Sequence, residues 1–451
     1  MKSQHGTPKP RRAKGLRILR LNAAGIDIGS REIYVALPPD RAAQTVRSFG
    51  SVTEELEAIG SWLHQHGITT VAMESTSIYW IPLCRVLDNA GIEVFLVNAR
   101  EVKHVPGRKT DVLDCQWLQQ LHSVGLLRAS FRPAQEIDAI RCLQRHREGL
   151  VKARTTQIHL MQKAMRLMNV QLETAVSDIT GETGMTIIRA IVAGEHDPHR
   201  LAALRDPRCK NSQEDIAKAL HGTYTPEQLF ALRQTFSLFD TYTVLIAACD
   251  KELLQHYEDF AKRQPPPPTP LPPRRPSHKK ISPLDGQIRI QLFQMAGVDL
   301  TQIDGIGLSA AQSIIAHIGV DMTPWKNAKH FCSWMGVAPQ NDTSAGKTLR
   351  TGTKKVTNRV LVTLRLCAQT LERSDSASGA FFRRMKAKLG APRAVTAGAH
   401  KLARIIYTML QNKTQFCAPS ADAYEQHHKQ RQVKYLKHLA KKYGYTLQAA
   451  T

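Results

Sequence analysis

Residues 24–40 read AGIDIGSREIYVALPPD. Two short apolar runs flank a Gly-Ser turn, which predicts a β-hairpin, and QTVRSF at 44–49 offers a third strand. The pattern then changes period. TEELEAIGSWLHQH (53–66) has helical spacing, ITTVAMEST (68–76) is a buried strand, IYWIPLCRVLDNA (78–90) is helical again, and IEVFLVNAR (92–100) is another strand. Three strands followed by alternating helix and strand imply an α/β layered domain with a mixed sheet, ending near residue 130.

An acid inside the first strand, Asp27, is expensive unless something pairs with it. Glu74 ends the strand VAMES, and in open α/β sheets ligand-binding groups gather beyond the carboxyl ends of strands. Farther on, HVPGRKTDVLDCQWL (104–118) carries Asp111 and Asp114 at i and i+3 of a helix start, behind the basic turn that holds Arg108 and Lys109. Four carboxylates from a first strand, a strand end and a helix start can converge. Ionised at neutral pH they would repel one another unless a divalent cation lies between them, and Mg²⁺, whose ligands are oxygens and which takes phosphate and water besides, suits the set, with a two-metal site as one arrangement. Helix capping by Thr110 or Asp111 is the plain alternative.

The chain has 451 residues, enough for two or three domains. Its 62 Lys and Arg against 38 Asp and Glu give a formal charge of +24, and such an excess points to a polyanionic partner, first of all nucleic acid. The first twenty residues hold seven cations and no acid, and the tail HHKQRQVKYLKHLAKKYG is similar; solvated tails are the plain reading of both. No signal-peptide pattern and no long uncharged apolar run occur, so a cytoplasmic, nucleoid-associated protein is expected. Eight scattered cysteines without CxxC spacing argue against zinc or a disulfide framework.

The expected organisation is a basic tail (1–21), the α/β domain (22–130), a helical assembly region (131–263), a proline-rich linker (264–283), a mainly α C-terminal domain (284–416) and a second basic tail (417–451). In the helical region, Val151, Ile158, Met161, Met165, Met168 and Leu172 form one seam, interrupted by Arg154. Leu229, Leu232, Phe236, Phe239, Ile246, Leu253, Tyr257 and Phe260 form a second. The two helices can pair as an antiparallel hairpin or with a second subunit as a coiled coil. QPPPPTPLPPRRPSHKK (264–280) favours polyproline II and is expected as a semi-rigid spacer.

In the C-terminal part, IDGIGLSAAQSIIAHIG (303–319) is similar to a helix-hairpin-helix element, in which turn amides around Gly305 and Gly307 meet a phosphate. GVAPQNDTSAGKTLRTGTKKVTNR (336–359) is expected as a glycine-rich loop that sets Ser344 among Lys347, Arg350, Lys354, Lys355 and Arg359. Such a loop can bind phosphate, or its serine can attack phosphorus if a base or metal helps.

Taken together, GIDIG, AMESTSIYW, VPGRKTDVLDCQWLQ, IDGIGLSAAQSIIAHIG, GVAPQNDTSAGK and GTKKVTNR resemble the DEDD-type insertion-sequence transposases, the family that includes the pilin-gene invertase and the bridge-RNA-guided recombinases. The resemblance runs from about residue 22 to 415. It implies a RuvC-like RNase H fold with Asp27, Glu74, Asp111 and Asp114 as Mg²⁺ ligands, a coiled-coil assembly section, and a C-terminal domain whose Ser344 attacks DNA to form a phosphoserine link. DNA, a bridge RNA and further copies of the chain are the partners implied. Ser77 and Thr357 stand where that family often has glycine. A junction-resolving nuclease using the same acids on water, an actin- or sugar-kinase-type ATP binder suggested by GIDIGS, and a non-catalytic nucleic-acid binder are the competing readings.

Overall fold

The computed structural model describes residues 17–75, 77–98, 111–276, 282–354, 356, 358–417 and 420–447. The chain divides into two compact units at Arg132/Pro133.

The first unit is built on strands β1 (Ala23–Ile28), β2 (Glu32–Ala36), β3 (Val46–Gly50), β4 (Thr70–Glu74) and β5 (Glu93–Val97), in the spatial order β3-β2-β1-β4-β5. The first three are antiparallel neighbours and β1, β4 and β5 run parallel, so the sheet is mixed, as expected. The β1–β2 turn closes through the Gly29 amide donating to the Glu32 carbonyl at 2.9 Å. Helices α1 (Thr53–Gln65) and α2 (Trp80–Asn89) cover one face, burying Ile26, Val35, Val71, Met73, Ile59 and Leu83. Helix α3 (Asp111–Ser123) covers the other, where Ala72, Val97, Leu118 and Leu127 meet.

The second unit begins with α4 (Gln135–Leu167). The short helices α5 (Leu172–Ala175), α6 (Glu182–Val192), α7 (Pro198–Ala203) and α8 (Gln213–Leu220) follow, and then the long α9 (Pro226–Ala261). Of the two pairings open to the seams, the chain shows the antiparallel one within itself: α4 and α9 contact along their length, and Arg263–Glu136, Arg147–Asp250 and Arg154–Thr243 join them in reverse order. Met161, Met165, Met168, Leu172, Leu232, Phe236 and Phe239 are buried with the short helices. Arg154, which interrupts the first seam, stacks its guanidinium 5.8 Å from the Phe239 ring, a cation–π contact in place of an aliphatic one.

Beyond α9 come α10 (Pro283–Ala296), α11 (Leu308–Ile318), α12 (Ala328–Met335), the strands β6 (Asp342–Ser344) and β7 (Lys347–Arg350), then α13 (Arg359–Thr370), α14 (Ala377–Leu389), α15 (Ala391–Asn412) and α16 (Ala421–Lys442). Two features here were not read from sequence. The described part of the proline-rich segment is held by side chains of its own unit. Pro272 and Pro273 give their carbonyls to Arg289 and Gln302, and Thr269 accepts from Gln415. Arg289 is in turn paired with the buried Asp299. Proline removed this segment's own amide donors, so its carbonyls are met by side chains from far along the chain. The basic tail is also largely helical: α16 docks on α14, with Arg384 of α14 joined to Glu425 at 2.6 Å.

Candidate active site

Gly25 decides where α3 lies. A Cβ at this position would stand 2.2 Å from the Cys115 carbonyl oxygen and 2.2 Å from the Gln119 amide nitrogen, so only glycine lets the α3 backbone rest directly on β1. The Gln119 side chain then donates to the Ala23 carbonyl at 3.2 Å. Strand side chains alternate, so Asp27 projects from the same face as Gly25, and Glu74 from the same face as Ala72, which packs under α3. Ile26 registers with Met73, so Asp27 and Glu74 occupy the next position on neighbouring parallel strands, about 4.8 Å apart along the sheet. Both are half-buried.

Cys115 of α3, whose carbonyl lies against Gly25, has a buried thiol that donates to the Val112 carbonyl at 3.1 Å. Burial pushes this thiol up to about 12, and the negative charges of Asp27 and then Asp114 push the same way. Asp27 and Asp114 are thus both near enough to act on this thiol. The backbone of Asp111 opens α3, while its side chain, like Arg108 and Lys109, lies outside the described residues.

Among the described residues, no three Asp, Glu, His or Cys side chains stand close enough to hold a metal ion. An all-protein cage is not what Mg²⁺ ordinarily uses, since one or two carboxylates plus substrate phosphates and water complete its octahedron. Two strand-end carboxylates on one face, with oxygen donors only, fit that mode. Gly25 and Cys115 belong to this site and were not read as such from sequence. The small residue two positions before the acid was the available signal.

In the second unit, the stretch expected as a loop is a β-hairpin. Ser344 registers with Lys347 and Thr343 with Thr348, with an irregularity at Asp342/Thr343. Ala345 (φ 48°) and Gly346 (φ 76°) form the two-residue turn, a primed geometry that matches the twist of the flanking strands. Pro339 bridges Thr353 at the base. After the hairpin, Val356 packs on Gly336, where a Cβ would stand 2.3 Å from it, and the first turn of α13 is capped by Asn358 accepting from the Val360 amide. Ser344 and Lys347 are exposed on the hairpin, and Lys354 follows it, also exposed. The adjacent hydroxyls of Thr343 and Ser344 face opposite sides of the ribbon.

Arg359 is joined to Glu148 of α4 at 3.0 Å, and Glu148 also accepts from Ser313 at 3.1 Å, so this cation has a protein partner. The Arg350 side chain, Lys355 and Thr357 lie outside the described residues. Gly305 (φ 81°) backs onto the Cys367 carbonyl, 2.7 Å from where its Cβ would be, while Gly307 opens α11 with nothing near it. The first glycine is thus explained by packing and the second leaves a helix N-terminus accessible. No helix among the described residues is long and apolar enough to cross a membrane.

A DEDD transposase model of the IS110 group, described as Transposase, matches residues 24–170. A second, described as Transposase IS116/IS110/IS902 family, matches residues 299–383. No curated protein matches the chain. DEDD transposase domains have an RNase H-like fold and are typically dependent on divalent metal, and the β3-β2-β1-β4-β5 sheet with α3 across it accords with that fold. The first match takes in the strand-end acids and runs on into α4, and the second takes in α11, α12 and the serine hairpin. The chain carries, one after the other, two transposase domains of the IS110 family, a class of enzyme that cuts and rejoins DNA.

Proposed function

We propose that this transposase excises and inserts its element through a covalent phosphoserine intermediate formed by Ser344, with Asp27, Glu74, Asp111 and Asp114 holding Mg²⁺. The observation that carries the reading is Ser344 itself: an exposed hydroxyl at the last position before a two-residue turn, directly opposite Lys347. In the step, the Ser344 oxygen bonds to phosphorus as the bond from phosphorus to the leaving sugar oxygen breaks. The hydroxyl proton departs to a base, and the leaving oxygen takes up a proton. Divalent metal at the acids would stabilise the charge that builds on phosphate oxygens. Lys347 and Lys354 draw the DNA backbone to the hairpin, and Arg108, Lys109, Arg350, Lys355, Arg359, Gly305 and Gly307 are further backbone contacts in this reading. A phosphoserine link conserves the phosphodiester for rejoining, which free hydrolysis would not.

Sequence choice is assigned to a bridge RNA encoded beside the gene, so that base pairing specifies the sites while the cationic protein grips backbones. The active form is a homo-oligomer. Supporting this, Phe230, Leu238, Val244 and Leu245 of α9 and Leu160 and Leu167 of α4 are exposed on the outside of the helix pair.

The test is to incubate protein, Mg²⁺, element-end DNA and RNA transcribed from the flanking sequence, and to map any protein–DNA adduct by mass spectrometry. The adduct is expected on Ser344, absent in Ser344→Ala and retained in Thr343→Ala. Strand cleavage that persists in Ser344→Ala without an adduct would replace this reading with a metal-dependent nuclease acting on water, for which the paired carboxylates of β1 and β4 would suffice.

A further inference from the structure

A cleft of about 1270 Å³ lies in the second unit between α15, the segment leading into α16 and the base of the serine hairpin. Its cationic wall is one face of α15. Arg393, His400, Lys401 and Arg404 line it with Ala397 and Thr408, at the three- and four-residue steps that stack side chains on one side of a helix. Opposite stand Phe416, Cys417, Tyr424 and Arg431, and Pro339 and Thr353, which bridge the hairpin base, close one end. Phe381, Leu389, Ile405 and Met409 supply apolar surface within it.

No Asp or Glu among the described residues lines this cleft. Of the acids near it, Glu425 is paired with Arg384 and Asp304 with Arg275. Lys401 is held with its ammonium 4.6 Å from the Phe381 ring centroid and 5.0 Å from that of Tyr424. Burial lowers its pKa below the ordinary lysine range, with the Asp304 charge opposing.

The geometry points to this cleft as a seat for single-stranded nucleic acid, with phosphates on the α15 cations and unstacked bases on the apolar and aromatic surface, a reading that rests on the transposase function proposed above. A cationic wall alone would suit any polyanion. An apolar surface beside it is what a base needs when it leaves a stack, and stacking on an aromatic side chain contributes about 1–3 kcal/mol per base. A duplex keeps its bases inside and would leave that surface unused. The volume exceeds the roughly 300–1,000 Å³ of small-molecule pockets, so more than one nucleotide fits. The seated strand would lie against the base of the hairpin that carries Ser344.

Cys417 lines the cleft and is exposed, and Cys142 is exposed on α4, outside it, which gives a direct test. Full-length protein is alkylated with N-ethylmaleimide in the presence of oligothymidylate, oligouridylate or a blunt DNA duplex, and both sites are followed by mass spectrometry. At a strand concentration about ten times Kd, alkylation of Cys417 is expected to slow about tenfold, with Cys142 unchanged. Stronger protection by one oligomer identifies the strand as RNA or DNA. Arg393→Gln with Arg404→Gln should sharply weaken protection and flatten the salt dependence of the remaining binding by about 0.7 per lost phosphate contact. Lys437→Gln with Lys441→Gln, the same charge removed from α16 away from the cleft, should leave it intact. Unaltered Cys417 reactivity, equal protection by duplex, or equal loss in both double variants would each overturn the assignment. Occupancy is read here without chemistry: Cys417 protection without a Ser344 adduct defeats the recombinase reading alone, and an adduct without protection defeats the cleft alone.

Discussion

Gly25 of β1 lies so close to Cys115 of α3 that no side chain can separate them: the Cys115 carbonyl oxygen is 2.2 Å from where a Cβ would stand. The three nearest atoms that such a Cβ would meet, from Cys115 and Gln119, belong to the backbone of a helix, which cannot give way as a flexible side chain can. Overpacking of a well-packed interior costs about 1–3 kcal/mol and sometimes more, and Gly25→Ala is expected at or above the top of that range. Thermal unfolding of the first unit should show the loss, while Gly60→Ala, with only the Ala90 methyl at 3.7 Å, should be mild by comparison.

Asp27→Asn and Glu74→Gln keep the shape of the site and remove its charge. If these carboxylates hold metal against a phosphate, strand cleavage should fall by about a hundredfold or more, since such charge stabilisation amounts to several kcal/mol. Unchanged cleavage rates in both variants would remove β1 and β4 from the chemistry.

Ser77 adopts φ 52°, a left-handed conformation that costs an L-residue about 1–2 kcal/mol relative to glycine. Its side chain is exposed and has no packing role to lose. Ser77→Gly should therefore stabilise the first unit by about 1 kcal/mol, less the extra freedom that glycine gives the unfolded chain. A shift of the denaturant midpoint to lower concentration would contradict this.

His122 is buried beneath β4, its Nε2 2.9 Å from the Thr70 hydroxyl and its ring 4.6 Å from that of Phe95. Burial lowers its pKa to about 4, and the neighbouring Arg20 charge adds to the effect. A histidine kept neutral in the fold contributes stability that is complete above its unfolded pKa of about 6.5. As pH falls from there the unfolded chain takes up the proton first, and the contribution is lost by about pH 4. Melting temperatures measured from pH 7 down to pH 4 should fall, and His122→Gln should show a shallower decline.

Much of the first unit was legible because its signals are local. The Gly-Ser turn after Asp27, the helical period of residues 53–66 and the apolar run before Glu74 each decide an element without help from elsewhere, and all appear in the sheet and its helices. The role of Gly25 was not legible, since the helix that rests on it begins more than eighty residues later. The hairpin at 342–350 was taken for a loop because its strands are short, polar and exposed, and its turn has Ala345 where Asn or Asp would have announced a primed turn. Proline content correctly excluded helix in 264–276, but anchorage of that segment depends on Arg289, Gln302 and Gln415, which composition does not reveal. The seams of α4 and α9 identified their buried faces while leaving open which partner they meet, because a heptad pattern describes a surface and not its complement.

In the proposed reaction, the tight bend at Ala345–Gly346 bears on which hydroxyl reaches an incoming strand. Pleating sends consecutive side chains to opposite sides, so ribbon register alone determines whether Ser344 or its threonine neighbour meets an incoming strand. A slip of β6 by one residue would exchange the two alcohols. The register of that ribbon therefore acts as a selector between primary and secondary alcohol, separate from the chemistry of either group.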